Sequence, residues 1–117
     1  MAEALSAALK GAPVGLPAAV RVGGDHVWHQ YVVLSDERDA LREHLDAHGI
    51  ASGIHYPVPI HRTGAYASAG LGPGSLPAAE WLAERVCSLP MHPSLTIEEI
   101  ERIAAAVHGF DRLRQAA

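Results

Sequence analysis

A stretch rich in histidine and proline, Gly53 to His61, carries the side chains of this sequence that are best suited to chemistry. It reads Gly-Ile-His-Tyr-Pro-Val-Pro-Ile-His. Each proline fixes its own φ and disfavours helix at the residue before it, so we expect a stiff, extended segment. Stiffness lowers the entropy lost on binding, which makes His55, Tyr56 and His61 candidates for ligand contacts. The alternative is a proline-stiffened turn whose histidines only hydrogen-bond backbone carbonyls.

A second proline-rich segment follows later and reads Leu89-Pro90-Met91-His92-Pro93. Here we expect Leu89 and Met91 to fill the core and His92 to be a structural, hydrogen-bonded histidine. Cys87 lies just before this segment in an apolar run, where a thiol normally stays protonated. A nucleophile and base pair made of Cys87 and His92 is therefore not expected.

His44 and His48 are one helical turn apart, a spacing that can chelate a metal on one helix face. The intervening residues lack the glutamate of a zinc metalloprotease motif, and no cysteine pair is near. A solvated helix face is the preferred interpretation. The total of 8 histidines nevertheless keeps a small metal-binding protein as one alternative function.

Lys10 is the only lysine, so an internal Schiff base has one candidate. It lies in an alanine-rich stretch, outside any glycine-rich phosphate-binding loop. We do not expect it to carry a cofactor.

The amino-acid composition limits the kinds of protein that this sequence can encode. The 117 residues are 49% hydrophobic and 19% charged, which is typical of one globular domain. The net charge of -4 and the lack of a basic patch exclude nucleic acid as an expected partner, and the short apolar runs exclude a membrane. With one cysteine and no signal-peptide pattern at the N-terminus, we expect a cytoplasmic protein.

Hydrophobic periodicity and capping residues predict the elements that must position these side chains. Thr96 and Glu99 form a capping box in front of an apolar stripe that runs from Ile97 to Val107. A strand, a helix and a second strand in succession allow either a parallel or an antiparallel arrangement. The predicted helices are Ala2–Lys10, Ser35–His48, Pro77–Val86 with buried Ala79, Leu82, Ala83 and Val86, and a last one from Thr96; the predicted strands are Val27–Leu34, Ile50–Tyr56 and Cys87–Leu89; a long loop, Pro57 to Pro77, separates them.

In order, several of these segments resemble the C-terminal part of the DegT/DnrJ/StrS-type sugar aminotransferases. The resemblance spans residues 27–107, and its specificity lies in the order and spacing of the motifs rather than in any single one. The motifs are His29-Gln30-Tyr31-Val32-Val33, Arg38-Asp39-x-Leu41, Leu45-x3-Gly49-Ile50, Gly53-x-His55-Tyr56-Pro57-x-Pro59-x-His61, Ala79-Glu80-x-Leu82 and Leu89-Pro90-Met91-His92-Pro93.

Members of that family transfer an amino group, usually from glutamate, to a keto sugar attached to a nucleotide, and they use pyridoxal phosphate (PLP) in homodimers. Their fold is of the aspartate-aminotransferase type (fold type I). The resemblance implies an α/β (α+β) small domain with a sheet of about three strands packed with three to four helices. Together with the pattern along the chain, this predicts an entering helix and linker (1–25), the aminotransferase small C-terminal domain (26–110) and a frayed tail (111–117).

By the same resemblance, His55, Tyr56 and His61 would bind substrate, and no residue of this chain would be catalytic or hold the cofactor or a metal. The Schiff-base lysine belongs to a large domain whose motifs are absent here, and the surroundings of Lys10 do not match it. We therefore expect a fragment of a transaminase that is inactive and free of PLP by itself. Its expected partners are a large PLP-binding domain or a second copy, with a nucleotide sugar as candidate ligand. The alternative is a non-catalytic module that binds a nucleotide sugar or a partner.

Overall fold

The computed structural model describes residues 1–18 and 26–115. The predicted linker therefore lies partly outside the described residues, as do the last two residues of the predicted tail. In chain order the elements are helix α1 (Ala2–Ala8), strand β1 (Tyr31–Leu34), helix α2 (Arg38–Ala47), two 3₁₀ helices (Ile60–Arg62 and Gly64–Ala69), helix α3 (Pro77–Arg85), strand β2 (Val86–Leu89) and helix α4 (Ile97–Gln115).

The first helix is part of the core. Leu5 and Leu9 lie four residues apart, as predicted for one buried face, and both are fully buried. Ser6 Oγ lies 2.7 Å from the Tyr31 hydroxyl of β1. His108 Nε2 in α4 donates to the carbonyl of Ala8 at 3.1 Å, which satisfies a backbone group at the end of α1. Helix α1 thus packs in one core with the elements that follow the linker.

Within residues 1–18 and 26–115 the sheet has two strands rather than the three predicted. Strand β1 pairs antiparallel with β2, with Tyr31 opposite Leu89 and Leu34 opposite Val86. The predicted strand Ile50–Tyr56 is reduced to one antiparallel bridge between Gly53 and Ser88. On the side of the bridge towards Pro90, the next hydrogen-bonded pair would need a backbone N–H from Pro90, and proline has no N–H to donate.

The first predicted strand is also shorter than expected. Val27 and its neighbours do not pair, and Trp28 has a φ of 50°, outside extended geometry. Both strand directions that the sequence allowed occur in the structure. Because β1 and the Gly53 segment are both antiparallel to β2, they run parallel to each other on opposite sides of it.

The second helix begins and ends much as predicted. Leu41 and Leu45 are fully buried, and Gly49 adopts a φ of 68°, which ends α2 in the left-handed conformation that glycine tolerates. Helix α4 shows the predicted capping box. Glu99 N–H donates to Thr96 Oγ1 at 3.2 Å, and Thr96 N–H donates to Glu99 Oε2 at 2.8 Å.

The apolar stripe of α4 is buried at Ile100, Ile103, Ala104 and Val107, whereas Ile97 is 50% exposed. The helix continues to Gln115, through residues expected to form a frayed tail. Because α4 packs against both α1 and α2, it is the central helix of the core.

Helix α3 differs from its prediction. Of its apolar residues only Ala83 is buried, while Leu82, expected in the core, is 42% exposed. Amphipathic spacing indicates which side chains share a face, but not whether another element covers that face.

Residues 54–76, which we call the arm, connect the Gly53 bridge to α3. As predicted for a stretch rich in glycine and proline, the arm contains no α-helix or strand, only the two 3₁₀ helices. Its large apolar side chains point to solvent. Those more than two-fifths exposed are Tyr56, Val58, Ile60, Tyr66, Leu71 and Leu76.

Candidate functional site

His55 lies at the start of the arm, two residues after the Gly53 bridge, and its ring is held in place by three neighbours. Its Nδ1 is 2.9 Å from Ser88 Oγ. The ring lies against Gly53, where an added Cβ would approach His55 Cε1 to 2.6 Å. Tyr56 meets the ring edge to face, with centroids 5.9 Å apart. The imidazole is therefore fixed in orientation although His55 is exposed.

An open pocket of about 340 Å³ adjoins this histidine. Its walls come from three places in the chain: the residues before β1, the segment that leads to His55, and the end of β2 with the proline-rich turn after it. The lining residues are His29, Gln30, Ala51, Ser52, Gly53, His55, Ser88, Leu89, Pro90 and Met91. Imidazole, amide and hydroxyl groups at the rim suit a ligand rich in oxygen atoms.

The structure adds pocket residues that sequence analysis did not single out. His29 and Gln30 precede β1, and Ser88 lies within β2. Each belongs to or borders a strand predicted for other reasons, and only the pairing register of the two strands brings them to one place. His29 and Gln30 lie within the predicted strand Val27–Leu34 and within a motif of the family resemblance, but which way their side chains point depends on the sheet.

Tyr56 is 75% exposed and is not among the lining residues of this pocket. It lies beside the pocket through its contact with His55. Two of the three predicted site residues are therefore neighbours in space.

The third, His61, is in a different environment. It is only 5% exposed, and its Nε2 lies 3.0 Å from Glu80 Oε1 in α3. Its other nitrogen, Nδ1, is buried and has no hydrogen-bond partner among the described residues. In this structure His61 ties the arm to α3 and does not line the pocket beside His55.

The Glu80 carboxylate holds a second part of the arm. It accepts the Gly74 N–H at 2.8 and 2.9 Å and the Leu76 N–H at 3.4 Å. The hydrogen bond from the Gly74 backbone, followed by that of His61, lowers the pKa of Glu80 below its ordinary value. Glu80 thus anchors the arm at both His61 and Gly74.

His44 and His48, the weak metal-site candidates, form hydrogen bonds with backbone carbonyls. His44 Nε2 donates to the Ala106 carbonyl of α4 at 2.9 Å, and His48 Nδ1 donates to the His44 carbonyl at 2.8 Å. His44 is therefore a bridge between helices, not part of a solvated face. Across residues 1–18 and 26–115, no three His, Cys, Asp or Glu side chains come close enough to hold a metal ion.

The second proline-rich segment behaves partly as predicted. Leu89 is buried, and Met91 packs against the core. His92, expected to be a hydrogen-bonded structural histidine, is exposed instead. Cys87 is fully buried, and desolvation raises the pKa of its thiol, so the predicted inert cysteine is confirmed.

Lys10 lies exposed in the turn after α1 and is not among the residues that line the pocket beside His55. A PLP Schiff base needs a lysine amine next to the substrate pocket. The described residues around this pocket therefore do not fit PLP by themselves, because none of them supplies the lysine amine.

Comparison with known proteins decides the family. A model of the DegT/DnrJ/EryC1/StrS aminotransferase family matches residues 1–108. The chain belongs to this family. The DegT/DnrJ/EryC1/StrS family consists of PLP-dependent aminotransferases, as the resemblance implied.

Two curated members of the DegT/DnrJ/EryC1/StrS family show the extent of the match. The dTDP-3-amino-3,4,6-trideoxy-alpha-D-glucose transaminase of Streptomyces venezuelae is 45% identical over 98% of this chain. The UDP-N-acetyl-3-dehydro-alpha-D-glucosamine 3-aminotransferase of Acidithiobacillus ferrooxidans is 44% identical over 85% of it. The aligned region is 30% of the first relative and 26% of the second. The chain thus spans less than a third of the length of these relatives.

Solved structures of the DegT/DnrJ/EryC1/StrS family confirm the fold. DesV of S. venezuelae, determined with a ketimine intermediate, superposes on 93% of this chain with a TM-score of 0.86 and 43% identity. A family member from Brucella abortus gives a TM-score of 0.82 at 38% identity. Both matches cover 29% of the solved chain. The predicted fold-type I class is confirmed, with the sheet corrected to two strands. No helix in the described parts of the chain combines the length and apolar character that crossing a membrane requires.

Proposed function

We propose that this chain forms the substrate-side part of a PLP-dependent nucleotide-sugar aminotransferase, which moves an amino group from glutamate to a keto sugar on a nucleotide. The observation that carries this proposal is the 45% identity to a dTDP-sugar transaminase across 98% of the chain. The pocket beside His55 supports it, since its donors and acceptors suit a ligand rich in hydroxyl and phosphate oxygens.

In this proposal His55 and Tyr56 contact the sugar nucleotide. The fixed ring of His55 offers a hydrogen bond at the pocket, and the exposed Tyr56 beside it offers an aromatic face and a hydroxyl. His61 supports binding from a distance because its contact with Glu80 holds the arm that begins at His55. The reacting groups of the enzyme lie elsewhere.

A large PLP-binding domain, whether in the same or in another polypeptide, supplies the Schiff-base lysine. When bound, PLP supplies the chemistry that moves the amino group. The exposed apolar side chains of the arm, together with Trp81 and Leu82 of α3, favour such a partner, since a surface of this kind is normally covered. A second copy of this chain is the other candidate to cover it. The buried free thiol of Cys87 suits the reducing cytoplasm, the location we expect.

The proposal is tested by complementation. The 117-residue chain alone should neither develop the visible absorbance of lysine-bound PLP nor aminate a keto sugar. Combined with the large domain of a family relative, it should support amino transfer from glutamate to a dTDP-linked keto sugar. Failure of every complemented pair with a correctly folded chain, or turnover by the chain alone, would contradict the proposal.

A substitution localises the site within the complemented enzyme. His55→Ala should lower kcat/KM by about 3- to 10-fold, the effect of one lost hydrogen bond to an uncharged partner. His92→Ala is the matched control, since His92 is also an exposed histidine of a proline-rich segment but lies outside the lining of this pocket. Equal losses in the two variants would argue against His55 as a substrate contact.

A non-catalytic binding module is the second candidate, because the pocket beside His55 is built from this chain alone. Titration calorimetry with dTDP-sugars and UDP-sugars separates the two functions. Binding by the isolated chain at micromolar concentration, with no turnover in any complemented enzyme, would favour the module.

A further inference from the structure

The His55 ring contacts Ser88, a residue of β2. We infer that Ser88 is a positioning residue whose hydroxyl donates to His55 Nδ1, so that the imidazole carries its proton on Nε2 and offers it to an oxygen atom of a ligand in the adjoining pocket. The orientation is independent of the proposed function, and only the identity of the ligand rests on it.

The Ser88 side chain is placed by the backbone. Ser88 N–H donates to the Gly53 carbonyl at 2.8 Å, and Gly53 N–H donates to the Ser88 carbonyl at 3.0 Å. This bridge fixes the distance between β2 and the segment that leads to His55. Ser88 Oγ, on a residue that is only 7% exposed, then lies 2.9 Å from His55 Nδ1.

The direction of this hydrogen bond follows from what a buried hydroxyl needs. A hydroxyl proton that is withdrawn from water must find an acceptor. His55 Nδ1 is the hydrogen-bond partner of Ser88 Oγ among the described residues. If Nδ1 carried the proton, it would donate to Oγ and leave the hydroxyl proton without an acceptor among the described residues. The arrangement therefore favours unprotonated Nδ1 and a proton on Nε2.

Gly53 completes the arrangement on the other side of the ring. A Cβ at this position would lie 2.6 Å from His55 Cε1 and 3.2 Å from Nδ1, too close for any side chain. The lack of a side chain at Gly53 is thus what lets the ring approach Ser88. Gly53 and Ser88 act together: Gly53 leaves space for the ring, and the Ser88 hydroxyl donates a hydrogen bond to its Nδ1.

Nε2 is the nitrogen left for a ligand. It makes no hydrogen bond to the described residues, and His55 is exposed. An N–H at this position selects an acceptor such as a hydroxyl, carbonyl or phosphate oxygen. Under the proposed function, that acceptor is an oxygen of the nucleotide sugar.

Long-range ¹H–¹⁵N spectra of the ligand-free 117-residue chain, at a pH where the imidazole is neutral, test the orientation directly. We expect an unprotonated Nδ1 resonance for His55, shifted upfield by the hydrogen bond it accepts. Ser88→Ala should move this resonance towards that of a free imidazole, and Ser88→Thr should restore it. Ser52→Ala, which removes another hydroxyl of the same pocket, should leave it unchanged.

Gly53→Ala provides an independent variant should Ser88→Ala perturb β2. It keeps the Ser88 hydroxyl but displaces the ring, so the upfield shift of Nδ1 should be lost while the amide spectrum of α4 stays the same. A protonated Nδ1 in the parent chain, or a His55 spectrum that Ser88→Ala leaves unaltered, would overturn the inference.

Activity of the complemented enzyme then separates this inference from the proposed function. Ser88→Ala should reduce kcat/KM several-fold, by less than His55→Ala, with recovery in Ser88→Thr. The expected spectra together with an unchanged kcat/KM would uphold the orientation and count against the proposed role of His55 in substrate binding.

Discussion

The body of the molecule, made of α1, β1, α2, β2 and α4, and the arm, residues 54–76, are held by different forces. The body encloses an apolar core in which side chains such as Leu5, Leu41, Leu45 and Val107 are fully buried. The arm has large apolar side chains too, but apart from Ile54 they are exposed, and polar contacts attach the arm to β2 and to α3. The difference indicates that burial of apolar side chains stabilises the body, whereas hydrogen bonds hold the arm in place.

Polar contacts hold the arm at three points: His55 at its start, His61 within it and Gly74 near its end. At the start, His55 is held by Ser88 of β2. Further along, His61 and Gly74 are both held by Glu80 of α3. Between these points Val58 and Ile60 are 48% and 67% exposed. A few polar anchors with apolar surface between them suit a segment that contributes to a binding face.

The sharpest test of the body uses two isoleucines of α4. Ile100→Asp should abolish cooperative unfolding, because it removes a side chain worth about 1.5 to 3 kcal/mol and buries a carboxylate at a cost of several kcal/mol more. That sum approaches the total stability of a small domain, about 5 to 15 kcal/mol. Thermal melts followed by circular dichroism measure the effect.

Ile97→Asp is the control in the same helix. Ile97 is 50% exposed and Ile100 is 2% exposed, and an aspartate in the first turn of a helix is favourable. Its melting temperature should stay close to that of the parent chain. An Ile100→Asp melt like that of the parent would show that α4 does not form the core described above.

Glu80, which anchors the arm, can be tested with a substitution of smaller expected effect. Glu80→Gln should speed amide hydrogen exchange in residues 60–76 several-fold at neutral pH and leave α1 and α4 unaffected, because the carboxylate accepts from His61 and Gly74. Exchange followed by mass spectrometry, corrected for intrinsic rates, measures this. Uniform acceleration over the whole chain would mean that arm and body unfold as one unit.

The effect of Glu80 depends on pH in a definite direction. Its folded-state pKa lies below the ordinary 4.5, chiefly because of the Gly74 N–H, so its contribution is present above 4.5 and is lost as the pH falls through the folded-state value. The difference between Glu80→Gln and the parent chain should therefore shrink in acid. The Gly74 amide resonance should titrate with a midpoint below 4.5, and a midpoint above it would contradict the anchor.

The outer face of the arm should matter least for folding. Ile60→Ser should change the free energy of unfolding by no more than about 0.5 kcal/mol, because Ile60 is 67% exposed. It should instead weaken association of the chain with itself or with a large domain, as measured by sedimentation. Ile50→Ser is the matched control, since Ile50 is 4% exposed and its truncation should cost about 2 to 5 kcal/mol. Association that Ile60→Ser leaves intact would place the covered surface elsewhere.

Local signals predicted the helices of the body well. Leu5 and Leu9 share a buried face, Gly49 ends α2 in a left-handed conformation, and Thr96 with Glu99 caps α4. Each of these signals acts within a few residues, and so it can be read without knowing the rest of the fold. The motif order also identified the family.

The candidate site was predicted only in part. His55 does line a pocket, but its partner Ser88 is 33 residues away, and His61 pairs with Glu80 at a separation of 19. The stiff segment indicated that these histidines are held, without showing by what. Whether His61 also serves a ligand, and where the boundaries of the domain fall, stay predictions.

The sequence by itself determined the positions of α1, α2 and α4, the irregular arm and the family, because periodicity, caps and ordered motifs are local or linear properties of the chain. Only the tertiary structure decided that the third strand shrinks to the Gly53 bridge, that Leu82 stays exposed, and that His55 and His61 have different neighbours. Strand pairing and burial join residues that are far apart in the chain, and their free energy depends on which surfaces meet.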